Sequence, residues 1–149
     1  MTASDGHIPK PTQQIIHATS VAVNGCAALL TGAAGSGKST LGLQLVALGA
    51  GLICDDRTRI LREHGQIMAS AAPNIAGLIE ARGVGILRAD AAPAAPVALV
   101  VDLDRPEIDR LPEAHVVSIL GVDLPCLHKI EGPHFPAAIL QYLKHGLAE

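Results

Sequence analysis

Between positions 32 and 40 the chain reads Gly32-Ala33-Ala34-Gly35-Ser36-Gly37-Lys38-Ser39-Thr40. Gly32 to Ser39 fits the phosphate-binding (Walker A) pattern G-x-x-x-x-G-K-[ST] without a mismatch. Glycines at 32, 35 and 37 let the backbone curl so that successive N–H groups point at one anion. Lys38 is placed to reach the β- and γ-phosphates of a nucleotide, and the Ser39 hydroxyl to take a position on Mg²⁺. The apolar run Ala28-Leu29-Leu30 enters the loop, and Leu41, Leu43, Leu45, Val46 and Leu48 give the segment that leaves it a helical apolar face. The expected unit is strand, loop, helix, with the positive end of the helix dipole beneath the phosphates. That dipole contributes up to about 2 kcal/mol in a sheltered site.

Binding phosphate is not transferring it; transfer needs metal ligands and a base for the attacking group. Two apolar runs end in aspartate: Leu52-Ile53-Cys54-Asp55-Asp56 and Val97-Ala98-Leu99-Val100-Val101-Asp102. Residue pattern alone leaves both open as the acid beside the metal. The pair at 55–56 has one further property. Two adjacent carboxylates push each other's pKa apart, which can ready one as a base. A third stretch, Ile79-Glu80-Ala81-Arg82-Gly83-Val84-Gly85-Ile86-Leu87, sets a carboxylate and a guanidinium two residues apart, on one side if the backbone is a strand. Read without other information, that pair is a surface ion pair worth less than about 1 kcal/mol.

The elements that position these groups are partly legible. Residues 1–12 read as a flexible N-terminal tail, and 13–149 as a single domain. A strand is expected over Ile15–Val23, closed by Asn24-Gly25, the strongest short hairpin signal, with a return strand from Cys26 into the loop. His17 then lies on the partner of the loop-bearing strand and can project toward it. Gly49 and Gly51 end the helix. Arg57–Leu61 and Gln66–Met68 pair through His64-Gly65. A short helix or turn is expected over 75–81, a surface connector over 91–96, a buried strand over Val97–Val101, and another strand over Val116–Leu120. A helix over Pro136–His145 closes the chain, with proline in its first turn and Gly146 at its end.

Composition narrows the function classes. Hydrophobic residues are 49% of the 149 and aromatics 1%, so the core rests on Ala, Leu, Val and Ile. Phe135 and Tyr142 provide no platform for stacking bases, and a net charge of −3 with no basic run argues in the same direction, against nucleic acid. Cys26, Cys54 and Cys126 are scattered and odd in number, which suits buried thiols in a reducing cytoplasm. No run approaches a membrane span, so no membrane partner is expected.

Taken together and in order, the phosphate loop, Leu-Ile-Cys-Asp-Asp-Arg-Thr-Arg-Ile and Ile-Glu-Ala-Arg-Gly-Val-Gly-Ile-Leu resemble the HPr kinase/phosphorylase family, over roughly residues 12 to 111. The third motif is the specific one. The resemblance implies an α/β P-loop kinase domain with a mixed β-sheet, akin to phosphoenolpyruvate carboxykinases. It implies a bacterial protein-serine kinase that uses ATP and Mg²⁺ to phosphorylate the phosphocarrier protein HPr and so regulates carbohydrate metabolism. It resembles the short form, made of the catalytic domain alone; the family also suggests a homo-oligomer, a hexamer.

By position, His17 matches the family's histidine upstream of the loop, Lys38 its loop lysine and Ser39 its metal-binding serine. Asp56 matches the aspartate that takes the serine proton, Glu80 the second metal ligand, and Arg110 the active-site arginine; Asp55 and Arg82 support them. The resemblance favours Asp55-Asp56 over Asp102 as the acidic pair and makes Asp102 structural. Two departures stand out. Thr40 replaces a commonly acidic residue, and Leu124–Pro133 lacks the family's Pro-Gly-Arg-Asn-type loop tied to phosphorolysis. The kinase direction is therefore the better expectation. The alternatives are a P-loop kinase of small metabolites and a non-catalytic ATP-binding regulatory module.

Overall fold

A computed structural model describes residues 12–72 and 75–148. The expected tail falls, save for its last residue, outside the described residues. The elements follow in the order β1 (Gln13–Ile16), β2 (Ala18–Val23), β3 (Cys26–Thr31), α1 (Lys38–Ala47), β4 (Gly51–Cys54), β5 (Thr58–Glu63), β6 (Gln66–Ala71), β7 (Leu78–Ala81), β8 (Gly85–Arg88), β9 (Ala95–Pro106), β10 (His115–Ile119), β11 (Val122–Lys129) and α2 (Phe135–His145).

Nine strands make one mixed sheet in the order β1-β5-β6-β9-β3-β2-β4, with β11 also pairing β9 and β10 pairing β11. β3 and β9 run parallel, as do β9 and β11; the hairpin pairs are antiparallel. β7 and β8 form a separate two-stranded ribbon. β4 touches β6 although three strands separate them in the sheet, so the sheet curls on itself.

The hairpins form where backbone chemistry demands them. Asn24 and Gly25 take φ of 52° and 76°, His64 and Gly65 of 53° and 76°, as a two-residue loop matching the strand twist requires. Leu120 and Gly121 do the same between β10 and β11, at 49° and 80°. A leucine at positive φ is uncommon. Arg62 Nη1 donates to the Leu120 carbonyl at 2.9 Å and holds the turn.

Alternation sorts the side chains onto two cores. Val21, Ala28, Leu30, Leu99 and Val101 face Leu41 and Leu45 of α1 and Ile139 and Leu143 of α2. Ala18, Ala22, Ala27, Leu29, Ile53, Ile60 and Ile67 fill the inside of the curl. The pairing of Ala27 with Val97 and Ala28 with Leu99 leaves Ala98 as an extra residue, so β9 changes face at a bulge. Within the curl Thr58 Oγ1 donates to the Ala18 carbonyl at 2.8 Å, which makes Ser20 Oγ the donor in the 2.7 Å Ser20–Thr58 contact. These buried hydroxyls are thereby satisfied and tie β2 to β5.

Several expected elements differ. The strand expected over 15–23 is two strands, broken at His17: β1 pairs β5, while β2 pairs β3 and β4. The break lets one run serve both edges of the curl. The helix or turn expected over 75–81 is a turn followed by strand β7, whose buried Ile79 packs over α1. The connector expected over 91–96 yields its last two residues to β9, which continues past Val101 to Pro106. β11, which residue pattern does not announce, forms because β10 and the end of β9 offer it two ladders. Pro125, without an N–H, sits just before its pairing with β9 begins at Cys126. Cys54 and Cys126 are buried, Cys26 half-buried, and all three are free thiols. No helix among the described residues is long and apolar enough to cross a membrane.

The approach of α1 to the sheet is set by Gly42. A Cβ there would lie 2.7 Å from Thr19 Cγ2, on a strand with no exposure at that residue. Alanine at 42 gains about 1 kcal/mol of helix propensity but overpacks the contact by about 1–3 kcal/mol. Gly42→Ala is expected to lower stability by up to about 2 kcal/mol net, read as a shift of the urea midpoint with unchanged slope.

Candidate functional site

The curl of the sheet brings the carboxyl end of β3, the start of α1, the end of β4 and the β7–β8 ribbon to one rim. There a cleft of about 600 Å³ is lined by His17, Gly32, Ala33, Ala34, Gly35, Gly37, Lys38, Ser39, Thr40, Asp56, Glu80 and Arg82. Of the site residues expected from sequence, Ser36, Asp55 and Arg110 are outside this lining.

The loop between β3 and α1 adopts the conformation its glycines allow. Gly32, Gly35 and Gly37 take φ of 149°, 83° and 104°. A Cβ at Gly32 would meet Ser36 Oγ at 2.5 Å, so position 32 accepts no side chain. Gly37 is the N-cap of α1; no side chain caps the helix and no acid sits in its first turn. Its first N–H groups are therefore left for an anion. Lys38 is buried, and its Nζ donates to the carbonyls of Gly32 at 2.8 Å and Ala33 at 3.1 Å. Its ammonium also stands 3.7 Å from Asp56 Oδ1. Ser36 Oγ is buried without a hydrogen-bond partner among the described residues, and Ser36 lines a second cleft of about 430 Å³. That cleft shares Gly35, Gly37 and Thr40 with the first and is walled by residues 129–133 and by Phe135.

Asp55 is the hub beneath the rim. Its Oδ1 accepts from Ser39 Oγ at 2.7 Å and Thr19 Oγ1 at 2.8 Å, and its Oδ2 from the Glu80 backbone N–H at 3.0 Å. One carboxylate thus joins β2, β4, α1 and β7. Asp56 follows with φ of 64°, a conformation aspartate tolerates, and its N–H donates to Thr19 Oγ1 at 3.3 Å. The turn sends the Asp56 side chain into the cleft, half exposed, toward Lys38. Burial pushes the Cys54 thiol above its usual range, so the sulfur beside this pair stays protonated and inert.

β7 alternates, with Ile79 inward and Glu80 exposed at the cleft; Arg82 lies in the ribbon turn, its guanidinium near Gly35. No ion pair joins Glu80 to Arg82 among the described residues. His17 reaches the cleft from the break between β1 and β2. Arg110 stands on the exposed connector after β9.

The second acidic run serves the loop from behind. Asp102 Oδ1 accepts from the Asp104 N–H at 2.9 Å, and both Asp104 oxygens accept from the Ala33 N–H, at 3.0 and 3.1 Å. Asp104 thereby braces the back of the loop from β9, the parallel neighbour of β3. Neither Thr19 nor Asp104 is legible as a site residue in the sequence. Thr19 reads as one more strand threonine, and Asp104 lies beyond the apolar run.

The donor set on the cleft is oxygen: the Ser39 hydroxyl with the carboxylates of Asp56 and Glu80. Hard oxygen donors, few in number and beside a phosphate cradle, fit Mg²⁺, which keeps waters and takes substrate oxygens.

Comparison with known proteins agrees with this architecture. The family model described as HPr Serine kinase C-terminal domain matches residues 11–128. An HPr kinase/phosphorylase of Chlorobium luteolum is 35% identical over 137 residues, covering 83% of this chain and 40% of that protein. Its counterpart in Geobacillus thermodenitrificans is 34% identical over 125 residues, 75% of this chain and 40% of its own length. One from Levilactobacillus brevis is 40% identical over 76 residues, 50% of this chain and 24% of its own. The chain thus spans well under half the length of these curated relatives. The solved structure of the Hpr(Ser) kinase/phosphatase from Coxiella burnetii superposes with a TM-score of 0.75 at 26% identity, covering 88% of each chain. The protein, with its curled mixed sheet and its loop–acid–ribbon rim, belongs to the HPr serine kinase C-terminal domain family.

Proposed function

We propose that the protein is a protein-serine kinase that transfers the γ-phosphoryl group of ATP to a serine of the phosphocarrier protein HPr. The observation that carries this reading is the convergence of Lys38, Ser39, Asp56 and Glu80 on one cleft at an uncapped helix N-terminus. The names of the relatives supply the substrate protein. The triphosphate lies on residues 32–40, and the second cleft, which shares Gly35, Gly37 and Thr40, gives room for the nucleoside.

Ser39 and Glu80 would hold Mg²⁺, which supplies charge neutralisation on the phosphates when bound. Asp55 keeps the Ser39 hydroxyl hydrogen directed away from the cleft, leaving its lone pairs for a cation. Asp56 accepts the proton of the attacking serine hydroxyl, with the Lys38 ammonium 3.7 Å from its Oδ1. Lys38 and Arg82 offset the charge of the transferring group. His17 borders the same space and orients Asp56 or the phosphates. Arg110, an active-site candidate through resemblance, stands outside the cleft in this chain, so we assign its charge role to Arg82. The kinase direction is favoured because residues 129–133, at the second cleft, carry no arginine. A cytoplasmic, homo-oligomeric protein is the setting that fits this reading, with regulation of carbohydrate uptake as its outcome.

Three experiments test this reading. HPr incubated with the protein, ATP and Mg²⁺ should gain one phosphoryl mass on a serine, and Asp56→Asn should cut that rate by about a hundredfold or more while still binding nucleotide. Unmodified HPr with a folded, ATP-binding protein would return the chain to the regulatory-module reading. Arg82→Gln should depress transfer far more than Arg110→Gln in the same assay; the reverse order would restore Arg110 to the site. Thr19→Val deletes one donor to Asp55 and the acceptor of the Asp56 N–H at a fully buried position. It should cost about 1–3 kcal/mol of stability by denaturant melt and lower kcat more than it raises KM for ATP.

A further inference from the structure

Outside the first cleft, three metal-capable side chains meet at the β10–β11 edge of the sheet, at the carboxyl ends of β9 and β11. Glu107 follows β9, His115 opens β10 and His128 lies near the end of β11. Their donor atoms all lie within 4.8 Å of one another. The meeting is a product of topology. His115 pairs with Cys126, so His128, two residues on, is its diagonal neighbour on the same face. The Glu107 N–H donates to the Lys129 carbonyl at 2.8 Å, which sets Glu107 beside the end of β11.

The cluster is ordered by more than proximity. The two imidazoles stack with centroids 3.8 Å apart and planes 10° from parallel; ring lone pairs lie in the ring planes, so one ring must turn out of this stack before both nitrogens face one ion. Glu107 Oε1 lies 2.8 Å from His115 Nε2. Its Oε2 accepts from the N–H groups of Ile108 at 3.1 Å and Asp109 at 3.2 Å. The carboxylate is thus oriented by its own connector, as the supporting contacts of metal ligands commonly are. Its side chain is only 9% exposed, and that of His115 31%.

We propose that Glu107, His115 and His128 form a binding site for a borderline divalent cation, Zn²⁺ foremost, with a water completing the coordination. Two imidazoles and a carboxylate are a donor set suited to Zn²⁺ and not to Mg²⁺, which takes oxygen. Zn²⁺ needs ligand distances of about 2.0–2.2 Å, so the donors close in by side-chain rotation that exchanges the imidazole stack for bonds to the ion. On binding, His115 Nε2 gives its proton to solvent and the ring carries a single proton on Nδ1, taken back from solvent where the ring starts neutral; the three new ligand bonds replace waters of the hydrated ion. The ion would fasten the connector 107–114 to the sheet. The site is independent of the proposed kinase activity.

The test uses the untagged full chain, freed of metal by chelator and titrated calorimetrically with Zn²⁺ in excess Mg²⁺, which keeps the cleft acids occupied. One equivalent should bind. His128→Gln and Glu107→Gln should each weaken binding at least about tenfold, while Asp56→Asn retains it. Glu107→Gln keeps an acceptor for the His115 N–H, so this variant preserves the fold, checked by its chelator-treated melting curve. Co²⁺ in place of Zn²⁺ should give the intense visible bands of a low-coordinate site, lost in His128→Gln. Absence of stoichiometric binding to the native chain, or binding unchanged in both variants, would overturn the proposal.

Discussion

The carboxylate of Asp55 is the contact on which the rim of this domain depends. A carboxylate accepting three hydrogen bonds, two of them at 2.7 and 2.8 Å from hydroxyls, is held in one orientation. Its donors come from β2, α1 and β7, so a single charge fixes the relative placement of the phosphate loop, the acid pair and the ribbon. Losing it would leave a buried threonine hydroxyl and a backbone N–H without their acceptor. Asp56, the base in the proposed reaction, is positioned by its neighbour and by the positive φ of its own backbone, not by packing of its side chain.

That hub only works because small residues let the layers close. Gly42 admits Thr19 against α1, and Gly51 packs on Ala92, where a Cβ would lie 2.8 Å from the alanine methyl. Alanines at 18, 22 and 27 keep the inside of the curl thin. The near absence of aromatic residues belongs to the same solution: a tightly curled sheet has no room for them, and its core is filled by branched aliphatics at close packing. Phe135 lies where α2 covers the outer face.

What can be read from the chain divides by the range of the forces involved. The loop at 32–39 and the hairpins at Asn24-Gly25 and His64-Gly65 are legible because positive φ is a local demand that glycine and asparagine meet. The break at His17 is not, because alternation continues straight through it; only the two different partners of β1 and β2 separate them. β7 reads as a helix or turn because four residues carry too little period to decide. β11 is hidden by Pro125 and its polar positions, and exists because two neighbouring strands accept it. At the site, residue types within a motif announce themselves, whereas Thr19 and Asp104 act through tertiary hydrogen bonds that leave no trace in spacing.

The contest between the two acidic runs shows the same division. By strand quality alone Asp102 has the stronger claim, since β9 is the parallel neighbour of the loop-bearing β3. In the folded chain that strand supports the loop from behind, because Asp104 holds the Ala33 N–H and Asp102 holds Asp104. Asp56, just past a four-residue strand on the other side of β2, enters the cleft, with Asp55 outside its lining. The exchange follows from the curl. Bending the sheet lifts the end of β4 toward Lys38, whereas the end of β9 passes behind the loop and toward the connector. An acid reaches the cleft only if the sheet's curvature, and not its strand order alone, delivers it there.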